Sequence, residues 1–187
     1  MTAMTRNRRQ AILRQASGYV ELAELLVDGD RPTPETARVL LVRALETIDE
    51  LPEPTRSMPD AKLLEAEALR AMGQWEDAIV PFELVVENDP KRLEAWLGLG
   101  WCFKRIGRLP KAIEVLEQGL EASPDQPILH YNLSCYLSLG GDVQAAIEHL
   151  TKAISIDKRF RDLTQIEPDF DPIRSDPRFV AVTHLTV

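Results

Sequence analysis

Cysteine is scarce in this chain, with Cys102 and Cys135 the only two among 187 residues. They fit no metal-ligand spacing and do not build a disulfide framework. Both fall in helical periodicity and read as free buried thiols. Histidine is nearly as rare. His130, His149 and His184 stand alone at helical spacing, so the two-histidine zinc helix is missing. There is no glycine-rich phosphate loop and no Gly-x-Ser-x-Gly elbow; Gly98-Leu99-Gly100 belongs to a helix-packing pattern. These absences leave no catalytic residue to nominate, no metal and no cofactor. No apolar run approaches the ~20 residues of a membrane span. The first residues carry the arginines of a signal peptide without the apolar stretch or the small-residue cleavage site that follow them. The expected location is therefore cytoplasmic. Positive charge is also in deficit: Lys and Arg number 22 against 30 Asp and Glu, a formal net charge of -8. Phosphate binding needs clustered Lys and Arg, so nucleic acid is not an expected partner. The one exception is the start of the chain. Arg6, Arg8, Arg9 and Arg14 lie in the first fourteen residues with no acid among them, and removing that +4 from -8 leaves -12 for the rest.

What is present is a period. Gly73, Gly107 and Gly141 are 34 residues apart, as are Ala78, Ala112 and Ala146. Phe82, Leu116 and Leu150 keep the same spacing, and so do Leu69, Phe103 and Leu137. Pro90 and Pro124 repeat it once, with Lys158 at the third place. Within each repeat apolar residues recur three or four apart, which marks amphipathic helices. Each Gly is placed to end a first helix, the small Ala to let two helices approach, and the larger residue four further on to fill the space beside it. The Pro is placed to start the next helix. Pro81 breaks the pattern, because it falls inside the helix expected from Trp75 to Glu87 and should kink it.

These residues resemble the tetratricopeptide repeat family, whose pattern is W-x2-L-G-x2-Y, then A-x3-F, then P. The middle repeat matches best, with Trp96, Leu99, Gly100, Phe103, Ala112, Leu116 and Pro124. The third supplies His130, Leu133, Ser134, Leu137, Ala146 and Leu150. The first supplies Lys62, Glu65, Ala66, Leu69, Ala78, Phe82 and Pro90, so its opening helix departs from the pattern. The resemblance covers about residues 59 to 158. It implies an all-α fold, a right-handed α-solenoid of antiparallel helix hairpins.

The organisation expected on this basis has four parts. Residues 1–51 form a degenerate hairpin, with Tyr19, Leu22, Ala23 and Leu26 at first-helix spacing and Ala37, Leu41 and Ala44 at second-helix spacing. Its connection from Asp28 to Pro34 is longer than in the regular repeats, with Thr33 as N-cap and Pro34 as the first helical residue. Residues 52–58 are a Pro-rich linker. Residues 59–158 hold three repeats, 59–92, 93–126 and 127–158. Residues 159–187 cap the array, because the last repeat of a solenoid has an apolar face without a neighbour. Phe170, Ile173 and Phe179 are the residues to cover it, with Asp176 and Pro177 opening a final short helix.

The resemblance implies a protein or peptide ligand held along the surface lined by the first helix of each repeat. Helical spacing nominates that surface. It comprises Leu63, Glu67 and Arg70 in the first repeat, then Leu97, Trp101, Lys104 and Arg105 in the second. In the third it comprises Tyr131, Asn132, Cys135 and Ser138. Trp101 stands out, since Trp96, Leu99, Gly100 and Phe103 already occupy the packing positions of its helix. The family's chaperone-tail binders use a Lys and an Asn where this chain has Leu63 and Glu67, or Val20 and Glu24 in the other register, so that specificity is not expected. Two readings follow: a non-enzymatic adaptor, or a self-associating module, a homo-oligomer whose groove is filled by its own hairpin or by a second copy.

Overall fold

The computed structural model of the chain describes residues 4–27 and 32–184. Residues 28–31 of the first connection, and the last three of the expected cap, lie outside the described residues. The chain divides into two compact units, residues 1–106 and 107–187. Helices make up most of the described residues of both.

In the first unit, α1 (Arg6–Glu24) and α2 (Glu35–Asp49) pair as one hairpin, and α3 (Pro59–Ala71) and α4 (Trp75–Asn88) as the next. Both helices of the first hairpin pack on α3, and α5 (Leu93–Arg105) packs on α3 and α4. Thr5 caps α1, its hydroxyl accepting the Arg8 amide at 3.3 Å, so the arginine-rich start belongs to a capped helix. The core between the hairpins is rich in alanine. Ala23, Ala37, Ala44 and Ala68 are fully buried around Leu41, with Val20 and Met72 beside them. Such small side chains allow the close helix approach that the periodic alanines announced. The Pro-rich segment is built into this packing: Leu51 and Thr55 are buried, and Thr55 begins a 3₁₀ turn, Thr55–Ser57, that leads into α3.

Thr33 does not cap α2. The cap position is Pro34, and the Thr33 hydroxyl instead donates to the Ala71 carbonyl at 2.6 Å. That carbonyl is in the last turn of α3, where helical partners run out. Pro81 lies inside α4, which continues through it to Asn88. The ring removes the one bond that residue 81 would have donated to Asp77, and Pro81 is itself buried. Pro90 and Pro124 do not begin helices either. Each lies two residues past the end of one helix and three before the next, so their role is to stop the preceding helix and shape the turn.

Gly73, Gly107 and Gly141 have φ of 77°, 75° and 81°. At Gly73 and Gly141 the following amide closes back on the helix, Gln74 to the Leu69 carbonyl and Asp142 to that of Leu137, both at 3.0 Å. This is the left-handed helix stop that glycine adopts without steric cost.

The second unit holds α6 (Leu109–Ala122), α7 (Pro127–Gly140) and α8 (Val143–Ile156), with α7 packed on both. Ala112, Leu116, Ala146 and Leu150 are fully buried. The tail follows as α9 (Arg159–Leu163), a 3₁₀ segment (Pro168–Ile173) and α10 (Pro177–Thr183). The 3₁₀ segment packs on α7, and α10 on α8 and α9. Phe170, Ile173 and Phe179 are buried at 0, 2 and 3% exposure. Asp176 caps α10 by accepting the Arg178 amide at 2.8 Å, and Pro177 is its first residue. Arg174 ties the tail together, donating to the carbonyls of Thr164 and Glu167 at 2.9 and 2.8 Å and to Asp171.

Candidate interaction surface

In the first unit, α1, α3 and α5 lie in sequence, with α3 touching both neighbours. Arg70 on α3 joins two of these helices. Its Nε donates to Glu67 at 2.7 Å and its Nη2 to Glu24 on α1 at 2.9 Å. Burial pushes the Glu67 carboxyl above its ordinary value, and the Arg70 guanidinium pulls against that shift. Leu63 and Leu97 are half-buried on α3 and α5.

Trp101 is half-buried on α5. Two cations from the last turn of the same helix stand over it, Lys104 at 5.6 Å and Arg105 at 5.8 Å from the ring centroid. Arg105 also lies 4.5 Å from the ring of Trp75 at the start of α4, so its guanidinium bridges two indoles. Trp75 is a member of this cluster that sequence reasoning missed; it sits two residues past Gly73, as the first residue of α4. Cys102 faces away into the core, where burial pushes its thiol up to about 12, leaving an inert thiol rather than a nucleophile.

The second unit corrects the expected surface. Tyr131, Cys135 and Ser138, nominated as open positions, are buried at 6, 2 and 0% exposure. The tail covers the first of them. The Tyr131 ring meets Phe160 at 4.9 Å and Phe170 edge-on at 5.7 Å. Asn132 stays half-buried, and its amide donates to the Ile128 carbonyl of its own helix at 2.9 Å. Part of the surface that helical spacing assigned to a ligand is therefore occupied by the chain itself.

A histidine pair also escaped the sequence reading. His130 Nδ1 and His149 Nδ1 are 2.9 Å apart, and His130 Nε2 is 3.0 Å from the Pro124 carbonyl. One repeat earlier, Trp96 Nε1 donates to the Pro90 carbonyl at 2.8 Å. His130 thus reproduces the tryptophan's bond at the same register. A carbonyl only accepts, so His130 carries its proton on Nε2, its Nδ1 accepts, and His149 donates from Nδ1. Burial, then His130, lowers the His149 pKa from its ordinary 6.5, with Glu148 opposing. The folded chain therefore binds this proton at lower pH than the unfolded chain does. Stability is full above about 6.5 and falls as pH drops below it. Urea unfolding midpoints between pH 7.5 and 5 are expected to show that decline, and His149→Gln, which keeps a donor for His130, is expected to flatten it.

Among the described residues no three His, Cys, Asp or Glu side chains come together to hold a metal ion, and no helix is long and apolar enough to cross a membrane.

Comparison with known proteins agrees with this architecture. The tetratricopeptide repeat profile matches residues 63–127 and again residues 105–159. A tetratricopeptide repeat-containing protein of Caenorhabditis elegans, trd-1, is 28% identical over 96 residues, which is 51% of this chain and 10% of that protein. The chain thus spans about a tenth of that relative's length. Among solved structures, TTC0263, a thermophilic tetratricopeptide repeat protein of Thermus thermophilus, superposes with a TM-score of 0.61 at 20% identity, covering 88% of this chain and 85% of its own. MamA from Desulfovibrio magneticus RS-1 (residues 41 to the end) gives 0.57 at 20% identity, with coverage of 90 and 93%. Another MamA structure gives 0.62 at 19%, with coverage of 84 and 92%. At such identities the likeness is one of fold alone. The repeat profile spans more than half of the chain, and the glycines, alanines and large apolar residues at the 34-residue period occupy the structural places that the pattern requires; this chain belongs to the tetratricopeptide repeat family.

Proposed function

We propose that the chain is a non-enzymatic interaction module that holds an extended segment of another protein against α3 and α5. The observation that carries this reading is Trp101 with Lys104 and Arg105 over its ring, on a helix whose core-facing positions are filled by other residues. A large aromatic beside cations suits a segment that presents an apolar side chain next to a carboxylate. Leu63 and Leu97 extend the apolar part, and the Glu24–Arg70–Glu67 chain fixes the polar edge. Because Tyr131 lies under the tail, the proposed contact is confined to Leu63, Glu67, Arg70, Leu97, Trp101, Lys104 and Arg105.

The test is calorimetric titration of a partner segment, first isolated by affinity capture, into the wild type and into Trp101→Ala and Lys104→Glu. Loss of the indole is expected to weaken binding by about 2 kcal/mol, roughly thirtyfold in Kd. Lys104→Glu is expected to weaken it further for an acidic segment, and thermal melts of both variants monitor folding. Unchanged affinity in Trp101→Ala would remove the surface from consideration.

A further inference from the structure

We infer that the outer stripe of α1 is a docking surface for a second copy of this chain, laid antiparallel to the first. Ala11, Gln15, Gly18, Leu22 and Leu25 follow one another by four, three, four and three residues, so they form a single stripe along the helix. The helix packs on its own chain through a different set, Ile12, Ala16, Val20 and Ala23. The stripe is left outside: Leu22 is 54% and Leu25 81% exposed, and Ala11 and Gln15 are exposed as well. Gly18 sits in the middle of this 19-residue helix, where glycine is the costliest residue after proline. A Cβ built there meets nothing within 4 Å, so no contact inside the chain requires the glycine. A second helix crossing at that point does, since it brings two backbones together where no side chain intervenes.

The charges select the occupant and its direction. The first half of α1 carries Arg6, Arg8, Arg9 and Arg14 and no acid; the second half carries Glu21 and Glu24 and no base. A parallel pair would set four arginines beside four arginines. An antiparallel pair, with its two-fold axis beside Gly18, sets the basic half of each copy against the acidic half of the other. Arg14 lies four residues before Gly18 and Glu21 three after it, so they sit on one side of the stripe at nearly equal distances from that axis. Each Arg14 then faces Glu21 of the second copy, and the contact occurs twice. Arg14 pairs with no acid among the described residues of its own chain, while the Glu21 carboxylate accepts only from Ser17 at 2.7 Å. The surface does not involve Trp101 or α5, so it stands or falls separately from the proposed ligand contact.

Sedimentation velocity of the full chain over a dilution series tests this. The wild type is expected to reach twice the 21.1 kDa chain mass at the concentrated end, and to lose that association in high salt. Leu22→Glu, at an exposed position, is expected to sediment as a single chain with an unchanged circular dichroism spectrum. Arg14→Glu alone sets acid against acid, and Glu21→Arg alone sets base against base, so each is expected to stay monomeric. An equimolar mixture of these two variants restores both opposite-charge contacts and is expected to recover the dimer. A wild type that remains a single chain at every concentration overturns the inference. So does a dimer indifferent to Leu22→Glu, or a mixture that fails to associate.

Discussion

Replacing Gly98 by alanine is expected to destabilise the chain by about 3 kcal/mol, at the upper end of what one added methyl costs in a packed core. The methyl would lie 2.2 Å from Cζ of Phe82 and 2.6 to 2.7 Å from its two Cε atoms. Terminal ring atoms are often able to swing aside, but Phe82 is wholly buried at 0% exposure among fully buried residues such as Ala78 and Val85. The ring has no free volume to move into, so α5 must shift away from α4 or the ring must leave its rotamer. Denaturant unfolding of Gly98→Ala measures the loss. Phe82→Leu, which trims the ring, is expected to be destabilising alone, and the double variant is expected to be more stable than the sum of the two single losses predicts. Such non-additivity belongs to side chains in direct contact. Additive losses would show that Gly98 and Phe82 are not the coupled pair that the structure describes.

That contact illustrates what the sequence made legible. The sequence put Gly98 in a helix-packing pattern, and the 34-residue period put Phe82 at the large position of the second helix; these are the two residues that meet. Periodicity works here because repeats impose one packing solution several times, and a residue type recurring at a fixed register reports the space available to it. Gly73, Gly107 and Gly141 are legible for the same reason, since only a backbone need, positive φ, puts glycine there three times. The prolines were harder. The period gave their positions correctly but not their function, because a proline that stops one helix and a proline that starts the next differ by only a few residues. Thr33 failed similarly: a hydroxyl before Pro and Glu has the form of an N-cap, and nothing local reveals that the last turn of α3 offers a carbonyl 38 residues away.

The candidate surface was legible only in part, for a different reason. Helical spacing tells which residues share a face, not what else the chain lays over it. Trp101 was nominated by elimination, as the aromatic left over once the packing positions were assigned, and it is half-buried. Tyr131, Cys135 and Ser138 were assigned to an open face by the same spacing and are buried; Tyr131 lies under a tail that has no period and whose docking place is set by tertiary packing. The histidine pair lay hidden across a hairpin, although the register did place His130 on the position of Trp96, where a ring nitrogen binds the preceding turn.

The tail offers the other large effect. Phe170→Ala is expected to cost about 3–5 kcal/mol, the range for truncating a buried phenylalanine whose site cannot collapse. Phe170 is 0% exposed and lies between Tyr131 of α7, 5.7 Å from its ring centroid, and Phe179 of α10, at 5.3 Å. Its removal therefore opens a cavity and deletes both aromatic contacts through which the 3₁₀ segment links α7 to α10. The Arg174 guanidinium donates to the carbonyls of Thr164 and Glu167 within the tail itself, while Phe160 against Tyr131 is the remaining aromatic contact of the tail with α7. The Arg174 bonds hold the tail's own shape, and Phe160 alone is left to hold its aromatic seat on α7. The damage should accordingly be local before it is global. Hydrogen exchange is expected to accelerate first in residues 160 to 183 and along α7, with α1 to α4 protected as in the wild type. Exposure of Tyr131 supplies a direct readout. Burial raises its phenol pKa well above the ordinary value of 10, and a detached tail returns it towards that value in a spectroscopic titration. Phe170→Leu fills much of the cavity and is expected to restore most of the stability, which separates the loss of volume from any special need for an aromatic ring. If Phe170→Ala leaves the Tyr131 titration and the exchange pattern unchanged, the tail is not seated by this residue.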